Sequence, residues 1–197
     1  MSAGGGAGVE VPAGTMAGDV IVLLERDVAI TTPPANGVPS GFTLIGTQDD
    51  GSGVRSTASY GIAAGGEAGN PLGTGMTGGL AAERAIAVFR PDAPISSVGI
   101  SAVGSEVTTG DPSAQTVLSG GAATPVIAFG AYGSRSPGTV SPRTFSPTKA
   151  GEVRADQVWG DSWLAWLIFN SSPSNVSVDM SDEGSLNQLM SWYLRFE

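Results

Sequence analysis

"TGGLAAERAIAVFR" at residues 77–90 and "EGSLNQLMSWYLRF" at residues 183–196 decide the fold. Few letters match, yet Gly78 and Leu80 fall on Gly184 and Leu186 at a shift of 106 positions. An apolar run closes both stretches. The same shift lays Val20-Ile21 on Val126-Ile127, Leu23 on Phe129, Tyr60 on Trp166 and Ile62 on Ile168. It also lays Ile86 and Val88 on Trp192 and Leu194, and a slip of three brings Phe42 to Phe145. One register running through four apolar runs reads as a unit written twice.

Those runs are short and are bounded by Gly, Pro, Asp and Ser, which is how strands are punctuated. Strands are expected at 18–26, 42–48, 54–63, 82–90, 95–103, 113–119, 125–133, 152–159, 162–170, 175–180 and 187–196. Alanine would allow a helix over 80–90, but Ile86, Val88 and Phe89 between glycine-rich loops favour a strand. In the last strand Trp192, Leu194 and Phe196 share one face, and Tyr193 and Arg195 the other. "DDGSG" at 49–53 reads as a hairpin turn.

A four-strand unit cannot bury its apolar face alone, whereas two units can bury theirs against each other. The expected fold is therefore all-β: a jelly-roll-like antiparallel β-sandwich built from two tandem quasi-repeats. Residues 11–197 form one sandwich domain, with quasi-repeats 11–91 and 124–197 joined by 92–123. The glycine-rich residues 1–10 are expected as a flexible N-terminal arm.

Composition agrees with strands and turns. The chain has 197 residues, of which 41% are hydrophobic and 14% charged, with 30 Gly and 13 Pro. The net charge of −9 and scattered cations exclude a phosphate-tracking nucleic-acid binder. With no Cys there is neither a disulfide nor a thiolate metal site, and with no His the commonest general base is missing. No apolar run is long enough to insert in a membrane as a helix, and the opening "MSAGGGAGVEVPAG" is not expected to be a secretory signal.

The order "AGDVIVLL", "VPSGFTLIG", "SYGIAAGGEAG", "AIAVFRPDAPI" resembles a β-sandwich family found among bacteriophage structural proteins and some secreted bacterial surface proteins. Gly18-Asp19 opens the first long strand, Pro39-Ser40-Gly41-Phe42 enters the second, and Tyr60 and Glu67 mark the third and its exit turn. The likeness covers most of 11–91 and more faintly 124–196, where Thr124-Pro125 replaces the Gly-Asp opener. It implies a virion protein of the tail, spike or capsid decoration. It transfers no catalytic residue.

Chemical motifs are sparse. "GTGMTG" at 73–78 fits a dinucleotide-binding pattern, but Pro71 just before it argues against the strand such a site needs. "GDS" at 160–162 resembles a hydrolase nucleophile block without a base to activate Ser162. Asp161 with Glu152 or Asp156 could form a carboxylate pair for glycoside chemistry. "DMSDEG" at 179–184 has calcium-loop spacing, but Met190 stands where a closing Glu is wanted, and Asp49-Asp50 reads as a turn. Trp159, Trp163 and Tyr132 are the candidate glycan-contact residues, because sugar rings stack on exposed aromatics; Trp163 and Trp166 fall on opposite strand faces. The expectation is a non-enzymatic virion protein, without cofactor or metal, that forms homo-oligomers and docks on other virion proteins. The alternative is a carbohydrate-binding module for host-surface polysaccharide.

Overall fold

The computed structural model describes residues 2–6, 9–28, 37–49, 51, 53–73, 75, 81–109, 113–119, 126–134, 144–146, 150–157, 160–170, 175–181 and 186–197. Its strands are β1 (Ser2–Gly6), β2 (Val20–Val28), β3 (Thr43–Asp49), β4 (Val54–Ile62), β5 (Ala81–Phe89), β6 (Val98–Thr109), β7 (Ser113–Ser119), β8 (Val126–Ser134), β9 (Thr144–Ser146), β10 (Gly151–Gln157), β11 (Gly160–Phe169), β12 (Asn175–Ser181) and β13 (Leu186–Phe196). All eleven expected strands form. The residues expected as a flexible arm supply β1, and β9 is an addition.

The first half makes one sheet, in the order β1-β5-β2-β4-β3, and the second half makes another, β6-β13-β8-β11-β10 when read in the same sense. The two orders match strand for strand, so the fold is a β-sandwich of two like halves. Each half contributes a whole sheet. The stretch read as a join, 92–123, contains β6, the second half's counterpart of β1.

The single shift of 106 needs correction. Near that register, the ladder pairings together with the residues that face the core place β2 on β8 at 107, β4 on β11 at 106 and β5 on β13 at 105. Tyr60 on Trp166 and Ile62 on Ile168 therefore hold, and Ala87, not Ile86, is the counterpart of Trp192. A one-residue slip turns a side chain to the other face. Ile86 and Leu23 lie on the outer face of the first sheet, whereas Trp192 and Phe129 lie between the sheets. Phe145 belongs to β9, so Phe42 has no counterpart there. Ile168, expected in the core, is 41% exposed because it sits where the sandwich opens at one end.

The inter-sheet core is unequal across its halves. Ala58, Ala85 and Ala87 of the first repeat correspond to Leu164, Met190 and Trp192 of the second, and all six are buried in one cluster. Small residues on one sheet leave the volume that large ones on the other fill. Phe129 stacks on Trp192 with ring centroids 5.2 Å apart, and Phe89 meets Phe129 and Trp166 edge-on. Gly151 is pinned beneath Trp166, where an added Cβ would lie 2.5 Å from the indole ring.

The outer faces are covered differently. Val9, Val11 and Leu72 pack over Ile21, Leu23, Ile86 and Val88 of the first sheet. The second sheet is covered by a third, β7-β12-β9, where Val176 meets Ala128, Ala165, Leu189 and Tyr193. Edge strands β3 and β6 lie side by side, and both are bulged. Ile45 is the extra residue in β3; in β6 the extra residue lies at Ala102-Val103, with Ala102 at a φ of 52°.

One end of the core is polar. The Ser56 hydroxyl donates to Gln188 Oε1 at 2.6 Å, and the Ser162 hydroxyl donates to Glu83 Oε2 at 2.7 Å. Ser162 is the counterpart of Ser56, and Gln188 that of Glu83. Each repeat thus lends a serine to the other's long side chain. Arg26 Nη1 adds an ion pair to Glu83 at 2.9 Å, with both side chains buried. Ser162→Ala should cost about 1.5–3 kcal/mol, since it strips a donor from a buried charged group, and Ser56→Ala only about 0.5–1.5 kcal/mol. Urea unfolding of the two variants measures this, and an equal cost would show that the Ser162–Glu83 contact is no stronger than the Ser56–Gln188 one.

Candidate functional site

At the end where β5, β11 and β13 finish and β8 begins, the core opens into a cleft of about 640 Å³. Its size lies in the range of sites that take a small molecule or a partner's side chains. Phe89, Ile127, Ile168, Leu194 and Phe196 make an apolar floor, and Arg90, Asp92, Asn170 and Glu197 supply the polar groups. The chain leaving β5 runs along one side as Pro91, Asp92, Ala93, Pro94 and Ile95. Two prolines fix φ there and withhold backbone donors, so this wall is not a strand.

The two repeats contribute matching walls. At the β5-to-β13 shift of 105, Phe89-Arg90-Pro91-Asp92 corresponds to Leu194-Arg195-Phe196-Glu197. Each carries an Arg and, two residues on, an acid; Arg90, Asp92 and Glu197 line the cleft, while Arg195 pairs with Glu197. The first Arg is fixed. Arg90 donates from Nε and Nη2 to the two carboxylate oxygens of Asp19 at 2.9 and 2.8 Å, and from Nη2 to the Gly14 carbonyl at 2.7 Å. The backbone N–H of Met16 donates to the same carboxylate at 2.8 Å. These bonds, those from Arg90 foremost, hold the Asp19 carboxyl below its ordinary range and push the Arg90 guanidinium up. The Gly18-Asp19 opener thus anchors a cleft wall. On the other side, Glu197 accepts at its carbonyl from the backbone N–H groups of Ser96 and Ser97, and its carboxylate accepts from the Ser97 hydroxyl and from Arg195.

The cleft presents carboxylates, an amide and apolar surface. Among its described lining residues there is no Ser, Thr, Lys or Tyr to act as a nucleophile. Ser162 of the GDS block is fully buried and spends its proton on Glu83, which makes it a core hydrogen-bond donor. Asp156 and Asp161 occupy paired positions across β10 and β11, while Glu152 pairs with Ala165. Asp49 accepts from the Gly51 N–H and pairs with Arg55 at 2.5 Å, so its carboxylate serves the hairpin. Among the described residues no group of three acids could hold a metal ion. Gly75, in the glycine-rich loop, donates its N–H to Glu25.

The glycan-contact candidates lie elsewhere. Trp163 is half-buried on the outer face of β11, in the cluster beneath the third sheet. Tyr132 is its ladder partner on β8. Trp159 lies outside the described residues. Sequence reasoning missed the cleft, although the repeated Arg-x-acid at 90–92 and 195–197 was a signal for it.

Asp19 carries a pH dependence. Its folded pKa is depressed from 3.8, so its stabilising effect is complete above the ordinary carboxylate range and is lost as pH falls through the folded value. Asp19→Asn should lower Tm at pH 7, and the gap to the parent should close as pH falls below the ordinary carboxylate range. Thermal melts taken down through that range test this; a gap constant with pH would show that the Arg90 contact is not the source.

No protein-family model matches the chain, and neither a curated protein nor a solved structure matches it.

Proposed function

We propose that the protein is a non-enzymatic component of a bacteriophage virion, in the tail, the spike or the capsid decoration, that forms homo-oligomers and docks on other virion proteins. The observation that carries the docking half of this reading is the cleft. Ile168 is 41% exposed at a place where the core itself reaches the surface, with walls drawn from both repeats. An apolar floor ringed by charges and an amide suits a partner's apolar side chain inserted from outside. The virion half rests on the sequence resemblance of residues 11–91. With a net charge of −9, like subunits repel at long range, so contacts between them must be apolar or neutral at their centre. The cleft floor meets that condition.

A second reading, a module for host-surface polysaccharide, draws support from the register pairing of Trp163 with Tyr132. Titration with host polysaccharide, followed by tryptophan fluorescence, separates the two.

Ile168→Glu places a charge on the cleft floor at an already exposed position. It should leave Tm nearly unchanged and weaken association with particles by at least about tenfold, or 1.4 kcal/mol. Co-sedimentation of the purified protein with particles reads this out. Undiminished association would remove the cleft from the docking surface, and a monomer that ignores particles but binds polysaccharide would favour the second reading.

A further inference from the structure

The edge of β5 requires a partner strand, and the segment that fills it has little intrinsic reason to be one. Ala85, Ile86, Ala87 and Val88 of β5 are almost wholly buried, and the backbone groups along that edge pair with β1 in the register Ser2↔Val88 to Gly6↔Arg84. Left open, such an edge exposes a row of unpaired donors and acceptors. Yet β1 reads SAGGG. Three of its five residues are Gly, which carries the largest conformational entropy cost of ordering and has no side chain to pack. Its counterpart in the second repeat, β6, is 12 residues long and sends Val98 and Ile100 against the core. The first repeat thus has a strong acceptor edge and a weak donor strand.

The chain is fastened again just after β1. The Val11 N–H donates to the Asn70 carbonyl, the Gly69 N–H to the Val11 carbonyl and the Leu72 N–H to the Val9 carbonyl, and Glu10 bridges to Pro71. From Val9 back to Ser2 an extended chain spans about 25 Å. The segment can therefore reach a neighbour's β5 edge while Val9 stays in place.

We propose that Ser2–Gly6 is an exchangeable strand: in the oligomer, one copy's β1 occupies the β5 edge of a second copy in the same register. Exchange conserves every β1–β5 contact, because the same segment meets the same edge, so it costs only the entropy of association. The occupant is a second copy rather than a foreign strand because this segment already fits this edge residue for residue. The proposal rests on the oligomeric assembly reading above and gives that oligomer its contact.

The chain has no Cys, so engineered thiols report without background. Ser2→Cys and Val88→Cys are made in separate preparations, the second isotope-labelled, then mixed and oxidised. Exchange predicts a disulfide between residue 2 of the unlabelled chain and residue 88 of the labelled one, identified by mass spectrometry. Replacing Val88→Cys by Ser96→Cys, an exposed position off the edge, should abolish that cross-link. A second variant, Gly5→Pro, removes a backbone donor from β1 and should lower the oligomer fraction in light scattering without abolishing the folded monomer. An oligomer that forms without the 2–88 cross-link overturns strand exchange and leaves the assembly reading standing. A monomer at all concentrations overturns both.

Discussion

Two apolar sheet faces, neither of which can be left in water, hold this protein together. The first repeat faces inward with small residues at Ala58, Ala85 and Ala87, and the second with large ones at Leu164, Met190 and Trp192. Were the repeats identical, these positions would meet large against large or leave voids. Divergence into a thin half and a thick half lets two like sheets close on each other without a gap. The reciprocal bonds from Ser56 to Gln188 and from Ser162 to Glu83 then select one alignment among the many that greasy faces would permit. A buried hydrogen bond has one acceptable geometry, and a slide by one residue leaves a polar group unpaired.

The difference in outer cover follows from the same division. The first sheet is lidded by short segments around Val9, Val11 and Leu72, and the second by three strands. Because both faces of each main sheet are buried over much of their area, the central strands read as nearly continuous apolar runs. This explains what the sequence could and could not disclose. Strand existence was legible, since Gly and Pro punctuate the runs and β-branched residues fill them. Facing was not. In β5, Ala85 and Ala87 point inward while Ile86 and Val88 point outward, and all four are buried, so alternation carries no sign. A constant shift of 106 therefore looked consistent across strands that differ by one residue either way.

β1 was illegible for another reason. SAGGG contains no strand former, and the edge of β5 imposes its conformation. β9, with three residues, is too short to leave a pattern. The cleft is assembled from places where strands stop, and strand-pattern reading is weakest at ends. Its trace survived only as the Arg-x-acid repeat, whose first Arg proves to be bound to Asp19. The opposite facing of Trp163 and Trp166, by contrast, followed from period-two geometry alone.

The bulges in β3 and β6 have a consequence for growth. A regular edge strand is a template on which another sheet can add, and copies adding at both flanks would run on into a fibre. Here the two neighbouring edges on one flank are each interrupted, by Ile45 in β3 and by Ala102-Val103 in β6. That flank is blunt. Of the two main sheets, the opposite flank of β1 and β10 is regular, with ladders to β5 and β11 that run without interruption. Two main sheets that are regular on one flank and interrupted on the other cannot serve as templates on both sides, so the backbone itself blocks run-on growth through them.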